Sequence, residues 1–144
     1  MKSDTDHQIV NKIKFSNDEI KFLLSNDSCR IATVSPDNKP HITPVSYIYD
    51  KGFFYFATDY KTKKFKNLQH NPNIAIVVDV YSSVNNKAVV VHGKVRIIEK
   101  GIKFRNLYDI FNRKFEWVRI DPWKEEQAPF IQIIPYKKIS WGLD

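Results

Sequence analysis

Residues 30–58 read RIATVSPDNKPHITPVSYIYDKGFFYFAT. Residues 30–34 are short, β-branched and apolar, and residues 35–40, Ser-Pro-Asp-Asn-Lys-Pro, interrupt them with strong turn chemistry. Residues 41–49 resume an extended pattern, Asp50-Lys51-Gly52 reads as a tight hairpin turn, and residues 53–58 are apolar enough for a strand buried on both faces. Three strands therefore follow one another with only turns between them. A doubly wound α/β fold needs a helix after nearly every strand, so this stretch argues for antiparallel pairing instead.

The flanking sequence extends the pattern. Ser16 followed three residues later by Glu19 is a capping box that opens a helix over residues 17–25, with Phe15 and Ile20 placed for a hydrophobic staple. Ile20, Leu23 and Leu24 form its expected apolar stripe. A second helix is predicted over residues 62–70, with Phe65 and Leu68 on one face and Pro72 beyond its end. Strands are predicted at 74–80 and at 88–98, the latter with a bulge or bend at Gly93. A third helix follows over 101–117 through Ile102, Leu107, Tyr108 and Phe111, then a strand at 130–135 and a short tail. Six short strands with hairpin links and inserted helices predict a mainly β protein, an antiparallel six-stranded Greek-key barrel.

The 144 residues suit a single domain spanning 1–144, with a loosely packed segment over 1–14. The lone Cys29 rules out an internal disulfide framework, and its place in a strand suits a small buried apolar residue. The four histidines lack metal-ligand spacing, so no metal site is expected. The polar start has no signal-peptide core, and no apolar run nears the roughly 20 residues that span a bilayer. A soluble, cytoplasmic protein without a membrane partner is the expectation. The net charge of +7 favours an anionic partner, either nucleic acid or a small phosphorylated ligand, unless it only solvates the surface.

Two stretches carry candidate chemistry. Thr58 ends a buried strand, and a short loop then enters a helix whose start carries Thr62, Lys63 and Lys64, with Lys61 just before it. Lysines are disfavoured at the positive end of a helix dipole. A bound phosphate would account for them, accepting hydrogen bonds from the free first-turn amides, the Thr62 hydroxyl and the ammonium groups. The second stretch is residues 39–47, where Pro44 marks an edge strand with free backbone groups able to meet the polar rim of a flat heterocycle. No catalytic constellation of side chains stands out, so any reaction must draw its chemistry from a cofactor.

These pieces together resemble the pyridoxamine 5'-phosphate oxidase-like family of FMN-binding split barrels. The resemblance runs over residues 16–141 and rests on 30–34, 38–45, the Gly52 hairpin, Thr58, Thr62-Lys63-Lys64, Asn67-Leu68, Asn71-Pro72 and 89–93. It implies an FMN site in which Thr62, Lys63 and Lys64 hold the phosphate and Ala57 and Thr58 lie near the phosphate and ribityl chain. It further implies that Thr43, Pro44, Val45 and Ser46 line the isoalloxazine ring and that Lys87 reaches the flavin from the later strand. A homodimer with the flavin at its interface is implied too. Residues 74–80, Trp117, Trp123 and Trp141 are the apolar candidates for such an interface, the alternative being that they are core.

The arginine-rich C-terminal segment of the vitamin B6 oxidases is missing, since residues 136–144 contain no arginine. The expected function is thus an FMN-dependent oxidoreductase acting on a small-molecule substrate. The alternatives are an F420-dependent reductase of the same fold, a flavin-binding protein without turnover, and a basic nucleic-acid-binding module. Aromatic residues concentrated in apolar runs such as 53–56 speak against the last.

Overall fold

The computed structural model describes residues 13–143, so nearly all of the segment 1–14 lies outside the described residues. Helix α1 spans Asn17–Leu24. Its capping box is complete: the Ser16 hydroxyl accepts the Glu19 N–H at 3.1 Å and the Glu19 carboxylate accepts the Ser16 N–H at 2.8 Å. The buried face is Glu19, Phe22 and Leu23. Leu24, expected on the apolar stripe, is 59% exposed, because the i, i+3, i+4 set that faces the core starts at Glu19.

The strands are β1 (Ser28–Val34), β2 (Pro40–Ser46), β3 (Ile48–Asp50), β4 (Phe53–Ala57), β5 (Asn73–Tyr81), β6 (Asn86–Ile98) and β7 (Phe130–Trp141). They form one antiparallel sheet in the order β2-β1-β5-β6-β7-β4-β3, curled into a split barrel. The sheet has seven strands rather than the expected six, because residues 41–49 break at Tyr47. The piece before it pairs with β1 and the piece after it pairs with β4. Tyr47 is buried at this corner; its N–H donates to the Asp27 carbonyl at 3.1 Å and its hydroxyl to the Leu23 carbonyl at 2.6 Å. The β3–β4 hairpin turns through Lys51 and Gly52 at φ 51° and 91°, the left-handed pair that a two-residue type I′ loop requires.

Phe54 and Phe56 point into the barrel with Ile31, Val89 and Ile133, while Tyr55 faces the opposite way. On that other face α3 (Ile102–Lys114) and α4 (Glu116–Ile120) bring Phe104, Leu107, Phe111 and Val118 against Tyr55 and Phe130. The predicted helix 101–117 is thus two helices, separated at Phe115, whose backbone is extended. Ile102, expected on the apolar face, is exposed, and Phe104 takes the core position.

The expected tail is instead the second half of β7, pairing residues 137–141 with residues 88–92. Pro135 and two lysines hide this strand in the sequence. The register shifts at His92/Gly93, and Pro135 sits opposite Gly93, where the ladder is already interrupted. A Cβ on Gly93 would lie 2.7 Å from the Ile134 carbonyl oxygen, so the strands can approach there only at glycine. Lys138 Nζ and the Ser140 hydroxyl each donate to the buried Glu19 carboxylate at 2.6 Å, tying this strand to α1. Burial would raise the Glu19 pKa, but the bonds from Lys138, Ser140 and Ser16 outweigh it and hold the carboxyl below its ordinary value.

Two outcomes are expected. Tyr47→Phe leaves the Leu23 carbonyl without its donor and costs about 1–3 kcal/mol, read as a lower denaturation midpoint at unchanged m-value. Glu19→Gln is less stable than the parent at neutral pH. A carboxyl with a depressed folded pKa stabilises above its unfolded value and loses that contribution as pH falls through the folded one. Urea titrations should therefore show the gap between the two proteins closing as pH is lowered through and below the ordinary glutamate range.

Candidate functional site

The end of β4 leads directly into the polar cradle. Thr58 is buried and its N–H donates to the Pro129 carbonyl at 3.1 Å, which fixes the exit of the strand beside the start of β7. The Asp59 carboxylate accepts the Lys61 N–H at 2.9 Å, turning the chain toward helix α2 (Lys63–His70). Phe65 and Leu68 anchor α2 in the core, and the buried Asn67 donates to the Thr33 hydroxyl of β1 at 3.0 Å. The helix start is thereby held against the sheet.

Thr62 is the N-cap of α2. Its hydroxyl donates to the Asp59 carbonyl at 2.8 Å, accepts the Phe65 N–H at 3.2 Å and lies 2.9 Å from the Thr58 hydroxyl, which must then be the donor. All capacity of the Thr62 oxygen is used, so its part is to shape the helix end. The open donors are the backbone N–H groups of Lys63 and Lys64, for which the described residues provide no acceptor.

The two side chains differ. Lys63 is exposed and close enough to the β1–β2 turn to join Ser35 and Lys39 in holding the Asp37 carboxyl below its usual range, Ser35 being the main cause. Lys64 is half-buried with no carboxylate or hydrogen-bond partner among the described residues, and desolvation lowers its pKa. A partly desolvated cation at the positive end of a helix is unfavourable until an anion joins it.

The four residues expected against a ring lie on β2, an edge strand as Pro44 suggests. Thr43 Oγ1 is buried without a hydrogen-bond partner among the described residues, while Ser46 Oγ accepts the Trp117 indole N–H at 3.2 Å. Ala57 and Thr58 line a cleft of about 260 Å³ whose walls include Trp117 and Trp123. One strand-loop-helix passage thus gathers Ala57, Thr58, Thr62, Lys63 and Lys64, and Trp117 links it to Ser46. Lys87 is set apart: it lies on β6 opposite Val80 of β5, three strands from β2, roughly 14 Å at the usual strand spacing.

Trp117 and Trp123 were expected only at an interface or in the core. Trp117 reaches Ser46 from 71 residues along the chain, through the packing of α4, and no local pattern signals that meeting. Cys29 is no nucleophile, since burial pushes its thiol up to about 12 against a weaker opposing effect of Arg30.

Residues 17–133 match the pyridoxamine 5'-phosphate oxidase family. The chain belongs to that family. A curated relative, the 5a,11a-dehydrotetracycline/5a,11a-dehydrooxytetracycline reductase of Streptomyces rimosus, is 27% identical over 137 residues, covering 90% of this chain and 84% of the relative. The crystal structure of a FAD-binding protein from Mesorhizobium loti superposes with a TM-score of 0.71 at 22% identity, covering 88% of this chain and 93% of that one. An F420 reductase superposes with a TM-score of 0.60, also at 22% identity, covering 83% and 94%. At such identities the structural likeness speaks for the fold, the split barrel. No helix of the described residues is long and apolar enough to cross a membrane.

Proposed function

We propose that this protein binds FMN and uses it to reduce a small-molecule acceptor. The observation that carries this reading is the half-buried, unpartnered Lys64 beside the two open amides of the first turn of α2. A phosphate there would accept from both amides, pair with Lys63 and Lys64, and return Lys64 toward its ordinary pKa. The partnerless hydroxyl of Thr43 offers a polar contact on the strand proposed for the flat ring. Bound FMN supplies the two-electron chemistry that the side chains lack. The name of the Streptomyces rimosus relative supports a reduction, and those of the FAD-binding protein and the F420 reductase support a flavin or deazaflavin in such a fold. The aromatic run Phe54, Tyr55 and Phe56 is buried, which leaves a nucleic-acid-binding role without those rings as a stacking platform.

A homodimer is part of the proposal. Among the described residues no helix covers the outer face of β2-β1-β5-β6 and the far half of β7, where Ile42, Ile139 and Trp141 are 65%, 57% and 44% exposed. Of the interface candidates, Ile74, Ile76 and Val78 are core, and Ala75 and Val77 alternate with them toward this outer face. A self-complementary pairing of two such faces would cover them. Light scattering should give about 34 kDa, twice the 17.0 kDa chain; a 17.0 kDa particle that retains its cofactor would overturn the dimer.

The decisive experiment replaces both lysines, Lys63→Ala with Lys64→Ala. Charge-assisted hydrogen bonds contribute roughly 1.5–3 kcal/mol each, so FMN affinity should fall at least about tenfold. Riboflavin, which has no phosphate, should bind the variant and the parent alike. Equal losses for both ligands would remove the phosphate from this helix end. If the parent binds F420 in place of either flavin, the deazaflavin reading replaces this one.

A further inference from the structure

The cleft beside Ala57 and Thr58 has a composition that a phosphate-binding site does not explain. Its two aromatic side chains, Trp117 and Trp123, stack on each other with ring centroids 5.9 Å apart and an interplanar angle of 5°, and Phe115 stacks on Trp117 at 6.1 Å. Both indole donors are already spent: Trp117 Nε1–H on the Ser46 hydroxyl at 3.2 Å and Trp123 Nε1–H on the Ala128 carbonyl at 3.1 Å. These bonds and stacks fix the ring planes, so a ligand would meet only the aromatic surface that the neighbouring rings leave uncovered. Trp117 is 42% exposed, so part of that surface is open. The Trp123 ring is further braced by Tyr108, at 4.9 Å in a T-shaped contact.

The charge of the cleft opposes that of the chain. In a protein with 23 Lys and Arg against 16 Asp and Glu, the cleft is lined by Asp59 and Asp121 and by no cation. Neither carboxylate is in an ion pair among the described residues; Asp59 accepts only a backbone N–H and Asp121 has no side-chain hydrogen bond. π faces and uncompensated carboxylates together select a flat cation, through stacking, cation–π attraction and direct charge. About 260 Å³ accommodates a fused two-ring system.

We propose that this cleft binds a planar, positively charged aromatic or conjugated molecule, and that it is the subsite for the acceptor substrate. The second half rests on the flavin reading above, because the cleft adjoins the proposed cofactor residues through Ala57, Thr58 and the Trp117–Ser46 bond.

Calorimetric titration tests it with 1-methylquinolinium, neutral quinoline and anionic 1-naphthoate, on the protein alone and saturated with FMN. The cation should bind at least about tenfold tighter than the anion, with a preference that weakens in salt. Asp121→Asn should reduce that preference while leaving quinoline unchanged, and Trp117→Ala should weaken all three. Asp121 is exposed, so its amide variant keeps the test valid even where Trp117→Ala perturbs the helix. Equal affinities for the three probes, or indifference to Asp121→Asn, would overturn the proposal. Competition between FMN and the cation would also overturn it as a substrate subsite, since the cleft would then be the flavin's own. Selective cation binding in a protein that takes no FMN would uphold the cleft as a cation site while the flavin reading falls.

Discussion

The architecture depends on the corner at Tyr47. One continuous stretch of chain supplies both edges of the sheet, β2 before the corner and β3 after it. Edges joined by a single residue cannot lie far apart, so the seven strands must curl until those edges meet. Tyr47 holds the corner by spending its N–H on the loop before β1 and its hydroxyl on the last turn of α1. The carbonyl at that helix end would otherwise lack an intrahelical donor, so one side chain completes the helix and bends the sheet.

Curling gives β4 its two buried faces. Phe54 and Phe56 fill the barrel, and Tyr55 lies under α3 and α4. Those two helices are therefore held close to the exit of β4, which is also where the chain turns into α2. The juxtaposition of a helix N-terminus, a strand end and two tryptophans is a consequence of where the sheet closes. The same packing carries Trp117 onto Ser46 at the end of the edge strand.

Electrostatics then divide this region in two. At the start of α2, Lys63 and Lys64 stand where the helix dipole already disfavours cations, and Lys64 is partly desolvated as well. Across Thr58 the cleft is lined by Asp59 and Asp121 and by no cation among the described residues. The proposed anion cradle and the proposed cation cleft share one strand end. That arrangement suits a phosphorylated cofactor on one side and a substrate of the opposite charge on the other.

Much of this was legible in the residues because it is governed by local chemistry. The Ser16–Glu19 box, the Lys51-Gly52 turn and the bulge at Gly93 each involve groups a few residues apart, whose geometry the backbone imposes. The doubly buried run of β4 followed from the same short-range chemistry. The break at Tyr47 was hidden because both of its hydrogen bonds go to residues at least twenty positions earlier. The far half of β7 was hidden because its pairing depends on a register shift in another strand and on Glu19 at the opposite end of the chain. For the candidate site, the residues of the helix start could be named from the charge they place at the dipole. The surroundings that give them meaning could not: the missing partner of Lys64, the saturated hydroxyl of Thr62 and the tryptophan walls all arise from long-range contacts. Sequence determines what is settled within a turn of helix or a hairpin; closure of the sheet settles which distant groups share a surface, because only then are their distances and desolvation defined.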